Sequence, residues 1–323
     1  MKKKICVALL AVGLILGSAG AVLAKGQTIS INQFVEHPSL DAIRQGLQDY
    51  LKEQGMDVNY IVHIAQANMA TSGQIGRQQV GENADLIVAI TTPSAQSSVQ
   101  AMERAPGDMK RPLLFAGITD PVVAGLVKDV AHPPELVTGI SDRLPLDLQL
   151  AMIREFMGSF NKLGYIYNPG ETNSKAVLED LKALADKEDF EVVEATASKT
   201  ADVYQAANSL AGRVDAVFVA TDNTIVAGIE ALVKVAQDAD FPLFTADVDS
   251  VKRGSAASLG MDYYEHGRQA GVMAEKILKG MKPGDLPVEY QEKLELRINL
   301  PSAQAMGVTP PQEMLDRATK VYK

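Results

Sequence analysis

Apolar runs alternate with amphipathic stretches from residue 28 to the end of this chain. Five of the runs each end in a short polar loop that then opens a helix, at residues 86–96, 112–123, 163–174, 216–224 and 242–250. A strand that is apolar throughout is buried on both faces, and its alternation with helices is typical of a parallel sheet. The pattern predicts an α/β fold whose strand-end loops share one edge, where ligands bind.

The order of predicted elements starts a second time near Pro145, so we expect two doubly wound parallel-sheet halves. Predicted strands of the first half lie at 28–34, 58–65, 86–90, 113–118 and 136–141. Its predicted helices lie at 40–53, with Ser39 as N-cap, 73–83 and 94–104. In the second half, helices at 145–160, 174–186, 201–210 and 224–236 alternate with strands at 162–167, 191–195, 216–220 and 242–246. A helix over 263–278, a strand over 294–300 and a helix over 310–322 follow.

Residues 1–24 have the pattern of a secretory signal peptide. Three lysines precede an apolar stretch from Ile5 to Leu16, and Ala21-Val22-Leu23-Ala24 offers small residues at a cleavage site. A membrane anchor is the alternative, although the stretch is short for a span and Gly17, Ser18 and Gly20 follow it. Cys6, the single cysteine, lies inside this segment, so the mature chain is predicted to be periplasmic and free of disulfides.

Charge and composition exclude several classes of function. Without residues 1–24 the chain has 28 basic and 40 acidic residues, a net charge of −12, which argues against nucleic acid as a partner. The sequence contains no nucleophile elbow, P-loop or dinucleotide fingerprint. Its four histidines are far apart and none has metal-ligand spacing to another. We therefore predict neither an enzyme nor a cofactor or metal site.

The loop Thr91–Gln96 carries the sharpest local signal, because a buried strand ends there and a helix starts next to Pro93. Free backbone N–H groups at a helix start favour an anion, and a ligand carboxylate fits Thr92, Ser94, Ala95 and Gln96. The alternative is that Thr92 or Ser94 only caps its own helix.

Polar residues end the other strands as well. Asp222, Asn223 and Asp247 are placed to accept hydrogen bonds from a ligand ammonium or hydroxyl, or else to cap helices of their own. Asp120 precedes Pro121 and is typical of a turn. The segment Asn168–Ser174 is rich in turn residues and is in part scaffold.

An ordered set of short segments resembles one known family. The segments are His37-Pro38-Ser39-Leu40, Thr92–Gln96, Ile118–Pro121, Val137–Asp142, Tyr167–Ser174, Thr221–Thr224, Gly260–Gly267 and Ile298-Asn299-Leu300 with Met306-Gly307. In this order they resemble the ABC-transporter substrate-binding proteins of the type I periplasmic binding fold, the group that includes tryptophan-binding proteins.

The resemblance implies two lobes joined by three crossovers and closed on a ligand by a hinge. It places residues 27–142 and 261–285 in the first lobe and 143–260 and 286–323 in the second. It also implies that Ser94, Ala95 and Gln96 hold a carboxylate. The rest of the cleft would be lined by Thr119, Asp120, Asn173, Ser174, Asp222, Asn223 and Asp247. Asp222 or Asp247 is favoured for a ligand ammonium, and Asn168 is a further candidate.

We expect a monomeric solute-binding protein that delivers an amino acid, with an aromatic one as a candidate, to an inner-membrane permease and its ATPase. The alternative is a periplasmic sensor subunit that uses the same cleft but presents its closed form to a receptor or kinase.

Overall fold

The computed structural model describes residues 26–323, and the predicted signal sequence lies outside them. The elements that precede the first crossing between lobes alternate strands with helices. They are β1 (Gln27–Gln33), α1 (Pro38–Glu53), β2 (Val58–Ile64), α2 (Met69–Gly81), β3 (Leu86–Ile90), α3 (Thr92–Arg104), β4 (Leu113–Ile118) and β5 (Val137–Ser141).

The second stretch of chain repeats this alternation. Its elements are α4 (Leu146–Met157), β6 (Lys162–Tyr167), α5 (Thr172–Glu188), β7 (Glu191–Thr196), α6 (Val203–Asn208), β8 (Ala216–Val219), α7 (Asn223–Ala227), α8 (Ile229–Asp238), β9 (Leu243–Thr245), α9 (Asp249–Lys252) and β10 (Ala257–Gly260). The remaining elements are α10 (Tyr263–Leu278), β11 (Glu289–Tyr290), β12 (Glu295–Asn299), α11 (Leu300–Ala305), α12 (Gln312–Arg317) and β13 (Lys320–Tyr322).

Each lobe is built on one sheet, and the chain crosses between the sheets after β5, after β10 and between β11 and β12. The first sheet has the order β11-β5-β4-β3-β1-β2 and the second the order β13-β12-β10-β9-β8-β6-β7. Neighbouring strands are parallel except β10 and β12, which pair antiparallel with Ala257 opposite Ile298. The predicted α/β class, with two doubly wound sheets and three crossovers, is confirmed.

The central strands are apolar throughout because helices cover both faces of each sheet. In β3, Ile87 packs in one apolar cluster and its neighbour Val88 in the cluster on the opposite face, and both side chains are fully buried. Period-two alternation therefore sends successive side chains into two cores. Among residues 26–323, no helix combines the length and apolarity that a bilayer span needs.

Helix α10 follows the second crossing and returns the chain to the first lobe, where it packs against α1. Two glycines allow the backbones to touch. A Cβ on Gly46 would lie 2.2 Å from the Tyr264 carbonyl oxygen, and one on Gly267 would lie 2.1 Å from that of Ile43. The first lobe thus contains α1, which precedes the first crossing, packed against α10, which follows the second crossing.

Two predicted helices differ from the structure. Ser39 does not cap α1, because Pro38 occupies the first helical position and moves the N-cap back to His37. The predicted helix over 224–236 is divided at Gly228 into α7 and α8. Gly228 lies so close to the 200–203 segment that a Cβ would meet Thr200 Cγ2 at 2.9 Å.

Near the C-terminus, two predictions were wrong because strand pairing decides the structure there. Residues 310–322 were expected as one helix, but α12 ends at Arg317 and β13 pairs with β12, with Arg297 opposite Lys320. The strand β11 pairs with β5 in the first sheet. The third crossing therefore follows Tyr290, later than the boundary expected between residues 285 and 286.

Candidate ligand-binding cleft

Strand-end loops of the two sheets face one another and touch across a cleft. The Ser39 hydroxyl, at the start of α1, donates a hydrogen bond to Asp247 Oδ1 of the second lobe at 2.6 Å. The hydroxyls of Thr119 and Thr221, which follow β4 and β8, lie 2.7 Å apart. Both contacts join the lobes directly, so the cleft is closed in this conformation.

Two adjoining cavities lie between the lobes, and Asp142 and Thr221 line both of them. The polar cavity is lined in part by His37, Ser39, Asn173, Asp222, Asn223 and Asp247. The second cavity, called the mixed cavity, has aliphatic walls of Leu144, Leu146, Ala176, Val177, Ala220 and Ala246, together with the polar and charged side chains of Thr119, Asp120, Arg143, Gln149 and Asp180. Both ends of the cleft therefore offer charge and hydrogen bonds, and the mixed cavity adds a run of aliphatic surface.

The start of α3 has polar groups that the protein itself leaves unused. Its hydrogen-bond ladder begins with the Ala95 N–H donating to the Thr91 carbonyl, so the N–H groups of Thr92 and Ser94 precede the ladder. Thr91 adopts a φ of 85°, and the hydroxyls of Thr91 and Thr92 are buried without a hydrogen-bond partner. A non-glycine residue at such a φ is strained, and strained residues of this kind cluster at active sites and ligand clamps.

The neighbouring side chains of this segment serve the scaffold. Ser94 donates from Oγ to Asn32 Oδ1 at 3.2 Å, and Ala95 packs in an apolar core of the first lobe. Gln96 donates from Nε2 to the Ala124 carbonyl at 3.0 Å and to Thr172 Oγ1 of the second lobe at 3.4 Å. Gln96 therefore bridges the lobes, and Ser94 retains only its backbone N–H for a ligand.

Glu171 is a fully buried carboxylate that organises the face of the second lobe. It accepts hydrogen bonds from the backbone N–H groups of Asn223 and Thr224 at 3.1 and 3.0 Å, and from the Asn223 amide at 2.6 Å and the Thr224 hydroxyl at 2.8 Å. The first turn of α7 thus has its free N–H groups satisfied by a side chain some fifty residues away in the chain.

Asp222 is also occupied within its own lobe. It caps α7 by accepting from the Ile225 N–H, and its other oxygen accepts from the Asn168 N–H and the Ser174 hydroxyl, both at 2.6 Å. Burial and the nearby Glu171 carboxylate raise the pKa of Asp222 above its ordinary value. Three of the roughly four acceptor positions of the carboxylate are therefore filled.

Asp247 has three donors as well, but one comes from the opposite lobe. Besides the Ser39 hydroxyl it accepts from the Asp249 N–H at 3.0 Å and the Ser250 hydroxyl at 2.6 Å. His37 lines the same cavity, and its Nδ1 is buried without a partner. Burial lowers the pKa of His37 to about 4, an effect that Asp247 opposes, so this ring is neutral at pH 7.

Asp142 lies where the two cavities meet and has more free acceptor capacity than the other buried aspartates of the cleft. It accepts from the Thr119 hydroxyl at 3.1 Å and from the Tyr263 hydroxyl at 3.3 Å. Burial raises its pKa to about 6, and the hydrogen bonds from Thr119 and Tyr263 oppose that rise. About two acceptor positions remain for a ligand.

Three other predicted residues, Asp120, Asn168 and Asn173, form hydrogen bonds with the protein itself at or near the cleft. Asp120 accepts from the N–H groups of Val122 and Val123 and forms an ion pair with Arg143. Asn168 donates from Nδ2 to Thr224 Oγ1 at 2.8 Å. Asn173 donates from Nδ2 to the Thr221 carbonyl at 2.8 Å, and its Oδ1 is buried without a partner.

Half of the predicted site residues line one of the two cavities. These are Thr119, Asp120, Asn173, Asp222, Asn223 and Asp247, whereas Thr92, Ser94, Ala95, Gln96, Asn168 and Ser174 line neither. His37, Asp142, Thr221 and Tyr263 line the cleft but were not among the predicted ligands. Asp142 directly follows β5, so its position at a strand end was the signal available in the sequence.

In the part of the chain that the structure describes, no group of three or more His, Cys, Asp or Glu side chains could hold a metal ion. The buried carboxylates are held by hydroxyl and amide donors instead. Such a site can orient a small molecule that carries both donors and acceptors.

A family model described as ABC transporter substrate binding protein matches residues 28–322. The chain belongs to this family. It is 37% identical over 288 residues to a tyrosine-binding protein of Clostridioides difficile, a match that covers 88% of this chain and 82% of that protein. The resemblance drawn from the sequence is confirmed, and the protein is a substrate-binding protein of an ABC transporter.

Two solved structures of similar sequence identity differ in how well they superpose. The crystal structure of an ABC domain from Streptococcus pneumonia in complex with L-Trp has 33% identity and a TM-score of 0.86, with 92% of this chain and 100% of that chain covered. A ligand-free, open structure of a substrate-binding protein from Clostridium difficile has 32% identity and a TM-score of 0.67, with 92% and 99% covered. At nearly equal identity, this chain therefore superposes better on the ligand-bound structure than on the ligand-free, open one.

Proposed function

We propose that this protein is the extracytoplasmic solute-binding component of an ABC uptake system and that it captures one aromatic amino acid between its lobes. The observation that carries the proposal is the pair of adjoining cavities that share Asp142, one of which adds six aliphatic side chains to its polar lining. An amino acid likewise combines a charged head with a side chain that can lie on aliphatic surface. A tyrosine-binding relative and a relative in complex with L-Trp support the aromatic choice.

The carboxylate of the ligand would bind at the start of α3, which lines neither cavity of this closed conformation but meets the second lobe through Gln96 and Thr172. The N–H groups of Thr92 and Ser94 and the unpartnered Thr92 hydroxyl are donors there, and the positive end of the helix favours an anion. This assignment keeps the predicted carboxylate site but bases it on backbone and hydroxyl donors. The side chains of Ser94, Ala95 and Gln96 are engaged elsewhere.

The ammonium of the ligand would bind Asp142. Asp222 and Asp247, which the sequence favoured, each accept three hydrogen bonds from the protein, whereas Asp142 accepts two. An ammonium beside Asp142 would also offset the cost of burying that carboxylate. The aromatic side chain would then extend along the aliphatic walls of the mixed cavity, past Leu144 and Val177.

Ligand and closure stabilise each other in this account. The α3 start belongs to the first lobe, Asp142 precedes the first crossing, and Ala176 and Val177 belong to the second lobe, so one ligand contacts both sides. A ligand that touches both lobes binds the closed form better than the open form and shifts the population toward it. The closed form would then deliver the ligand to the permease and its ATPase, with residues 1–24 directing the monomeric protein to the periplasm.

A thermal-shift panel of the mature protein against the twenty amino acids and their decarboxylated analogues tests this function. Tyrosine, tryptophan or phenylalanine should raise the melting temperature, because a ligand at a hundred times its Kd stabilises the folded state by about 2.7 kcal/mol. A panel in which no aromatic amino acid has an effect would overturn the aromatic assignment.

A further inference from the structure

One buried side chain of the mixed cavity keeps unused hydrogen-bonding capacity. Gln149, near the start of α4, lines that cavity and is only 3% exposed. Its Nε2 donates to the Leu259 carbonyl, near the end of β10, at 3.2 Å. A carbonyl can only accept, so this contact fixes the nitrogen end of the amide. Among residues 26–323 no donor forms a hydrogen bond with Oε1, which leaves this oxygen available to a ligand.

The other polar side chains that belong to the mixed cavity alone are already engaged. Arg143 forms ion pairs with both Asp120 and Asp180. Arg143 and Asp180 also reach the surface, where their side chains are 44% and 51% exposed. The Thr119 hydroxyl lies against a hydroxyl of the second lobe and also donates to the aspartate that the two cavities share. Gln149 alone among them combines burial with an oxygen that accepts no hydrogen bond from the described chain.

An amino acid held by its ammonium at Asp142 would extend its side chain toward Gln149. Asp142 lines both cavities, whereas Gln149 lines only the mixed one, together with the aliphatic walls that would cover the ring. Those walls accept any aromatic ring, because the hydrophobic effect has no direction. An amide oxygen is selective, since it bonds a phenol O–H or an indole N–H and finds no such donor on a phenyl ring.

A phenyl ring beside Gln149 would also carry a penalty. In an open cleft water can bond Oε1, but a closed cleft that holds phenylalanine would bury this oxygen without a donor. Leaving a buried acceptor unpaired costs more free energy than exchanging water for a ligand hydroxyl gains. Sites that bond a substrate hydroxyl therefore reject the analogue without it more strongly than an apolar pocket distinguishes small differences in size.

We propose that Gln149 is a specificity-determining residue of this cleft. Its Oε1 accepts a hydrogen bond from a donor on the ligand ring, so tyrosine and tryptophan are preferred to phenylalanine. The inference rests on the proposed function, because it needs an aromatic amino acid between the lobes. It adds the residue that distinguishes one aromatic amino acid from another, which the aliphatic walls cannot do. The bond to the Leu259 carbonyl holds the amide in place for this role.

Calorimetric titration of the wild-type mature protein tests the proposal from the side of the ligand. The tighter of tyrosine and tryptophan should bind at least about tenfold more tightly than phenylalanine, because one hydrogen bond is lost. It should exceed by the same factor its own analogue without the ring donor, which is 4-fluorophenylalanine for tyrosine and 3-benzothienylalanine for tryptophan. Equal affinity for phenylalanine would overturn the role of Gln149 and leave the proposed function standing. Binding of no aromatic amino acid would overturn the proposed function itself.

Gln149→Met tests it from the side of the protein, because methionine keeps the length of the side chain and removes the amide. The preference over phenylalanine should fall to about twofold or less, with phenylalanine bound at least as tightly as by wild type. Gln79→Met is the matched control, since Gln79 is buried, donates from Nε2 to the Ser30 carbonyl at 3.1 Å and lines neither cavity. The control should lower the melting temperature and keep the wild-type preference. A wild-type preference retained by Gln149→Met would overturn the proposal.

Discussion

The two faces of the cleft are both polar, but they use their polar atoms differently. On the second lobe, Glu171 and Asp222 have their oxygens filled by donors of the same lobe. On the first lobe, the hydroxyls of Thr91 and Thr92 and the His37 Nδ1 are buried without partners, whereas the second lobe adds the Asn173 Oδ1 to this group. Buried polar atoms without partners cost free energy, so a fold retains them chiefly where another molecule supplies the bond. The second face is therefore mainly scaffold, with the Asn173 Oδ1 left for a ligand, and the first face offers more such contacts.

The largest expected effect is on stability, from Glu171→Ala on the scaffold face. The substitution leaves the first N–H groups of α7 buried without an acceptor, which should lower the free energy of unfolding by about 3 kcal/mol. Thermal unfolding measures it. Glu179→Ala, at an exposed position of α5, the helix that Glu171 precedes, is the control and should change little. Equal melting temperatures for both variants would contradict the scaffold role.

The next effect is on affinity, from Asp142→Asn. Loss of a charge-assisted hydrogen bond to the ligand ammonium should weaken binding by about 2 kcal/mol, or about thirtyfold, with the fold retained. Asp222→Asn should instead lower the melting temperature, since the Asn168, Ser174 and Ile225 donors use both carboxyl oxygens and an amide has only one oxygen to accept them. Calorimetric titration and thermal unfolding of both variants separate the roles. A reversed outcome would assign the ammonium to Asp222.

The pH dependence of binding should follow the Asp142 carboxyl. Burial raises its pKa to about 6, so the folded protein binds this proton more tightly than the unfolded chain does. The contribution of Asp142 to stability therefore decreases as pH rises from about 4 to about 6. The affinity for the ligand depends on pH in the opposite direction, because an ammonium binds the ionised carboxylate of Asp142. Affinity should fall as pH drops below about 6, by up to about tenfold per unit, and D142N should lack this component.

The smallest effect is expected from Thr92→Val, which removes a hydroxyl without a protein partner and keeps the volume. Stability should be unchanged or slightly higher, and affinity should fall by about 1 kcal/mol, or about fivefold. Thr224→Val is the matched control, because its hydroxyl is held by Glu171 and Asn168. That control should lose stability and keep its affinity. Unchanged affinity in Thr92→Val would argue against a carboxylate at α3.

The sequence predicted those elements that short-range patterns determine. The buried strand Leu86–Ile90 and the amphipathic helix Tyr263–Leu278 have the predicted bounds, because five apolar residues or a period of 3.6 suffice to define them. The strands β11 and β13 were not predicted, since each has only two or three residues and exists through pairing with β5 or β12. Their pairing partners are remote in sequence.

In the site, too, the sequence predicted what depends on local position and missed what depends on contacts between distant segments. Strand ends placed Thr119, Asp222 and Asp247 at the cleft, as parallel topology requires. Local sequence could not show that Glu171 occupies the N–H groups of Asn223 and Thr224, or that Asp142 has the most free acceptor positions, because those facts depend on contacts between distant segments. The signal peptide and the residues that contact the ligand stay predictions.

The central claim is that both charged groups of an aromatic amino acid are recognised at once, the carboxylate at α3 and the ammonium at Asp142. Calorimetric titration of the mature protein with L-tyrosine, with tyramine, which lacks the carboxylate, and with 3-(4-hydroxyphenyl)propionate, which lacks the ammonium, tests it most directly. The account predicts that tyrosine binds and that each analogue binds at least about tenfold more weakly, since each loses a charge-assisted contact. An analogue that binds as tightly as tyrosine would contradict it.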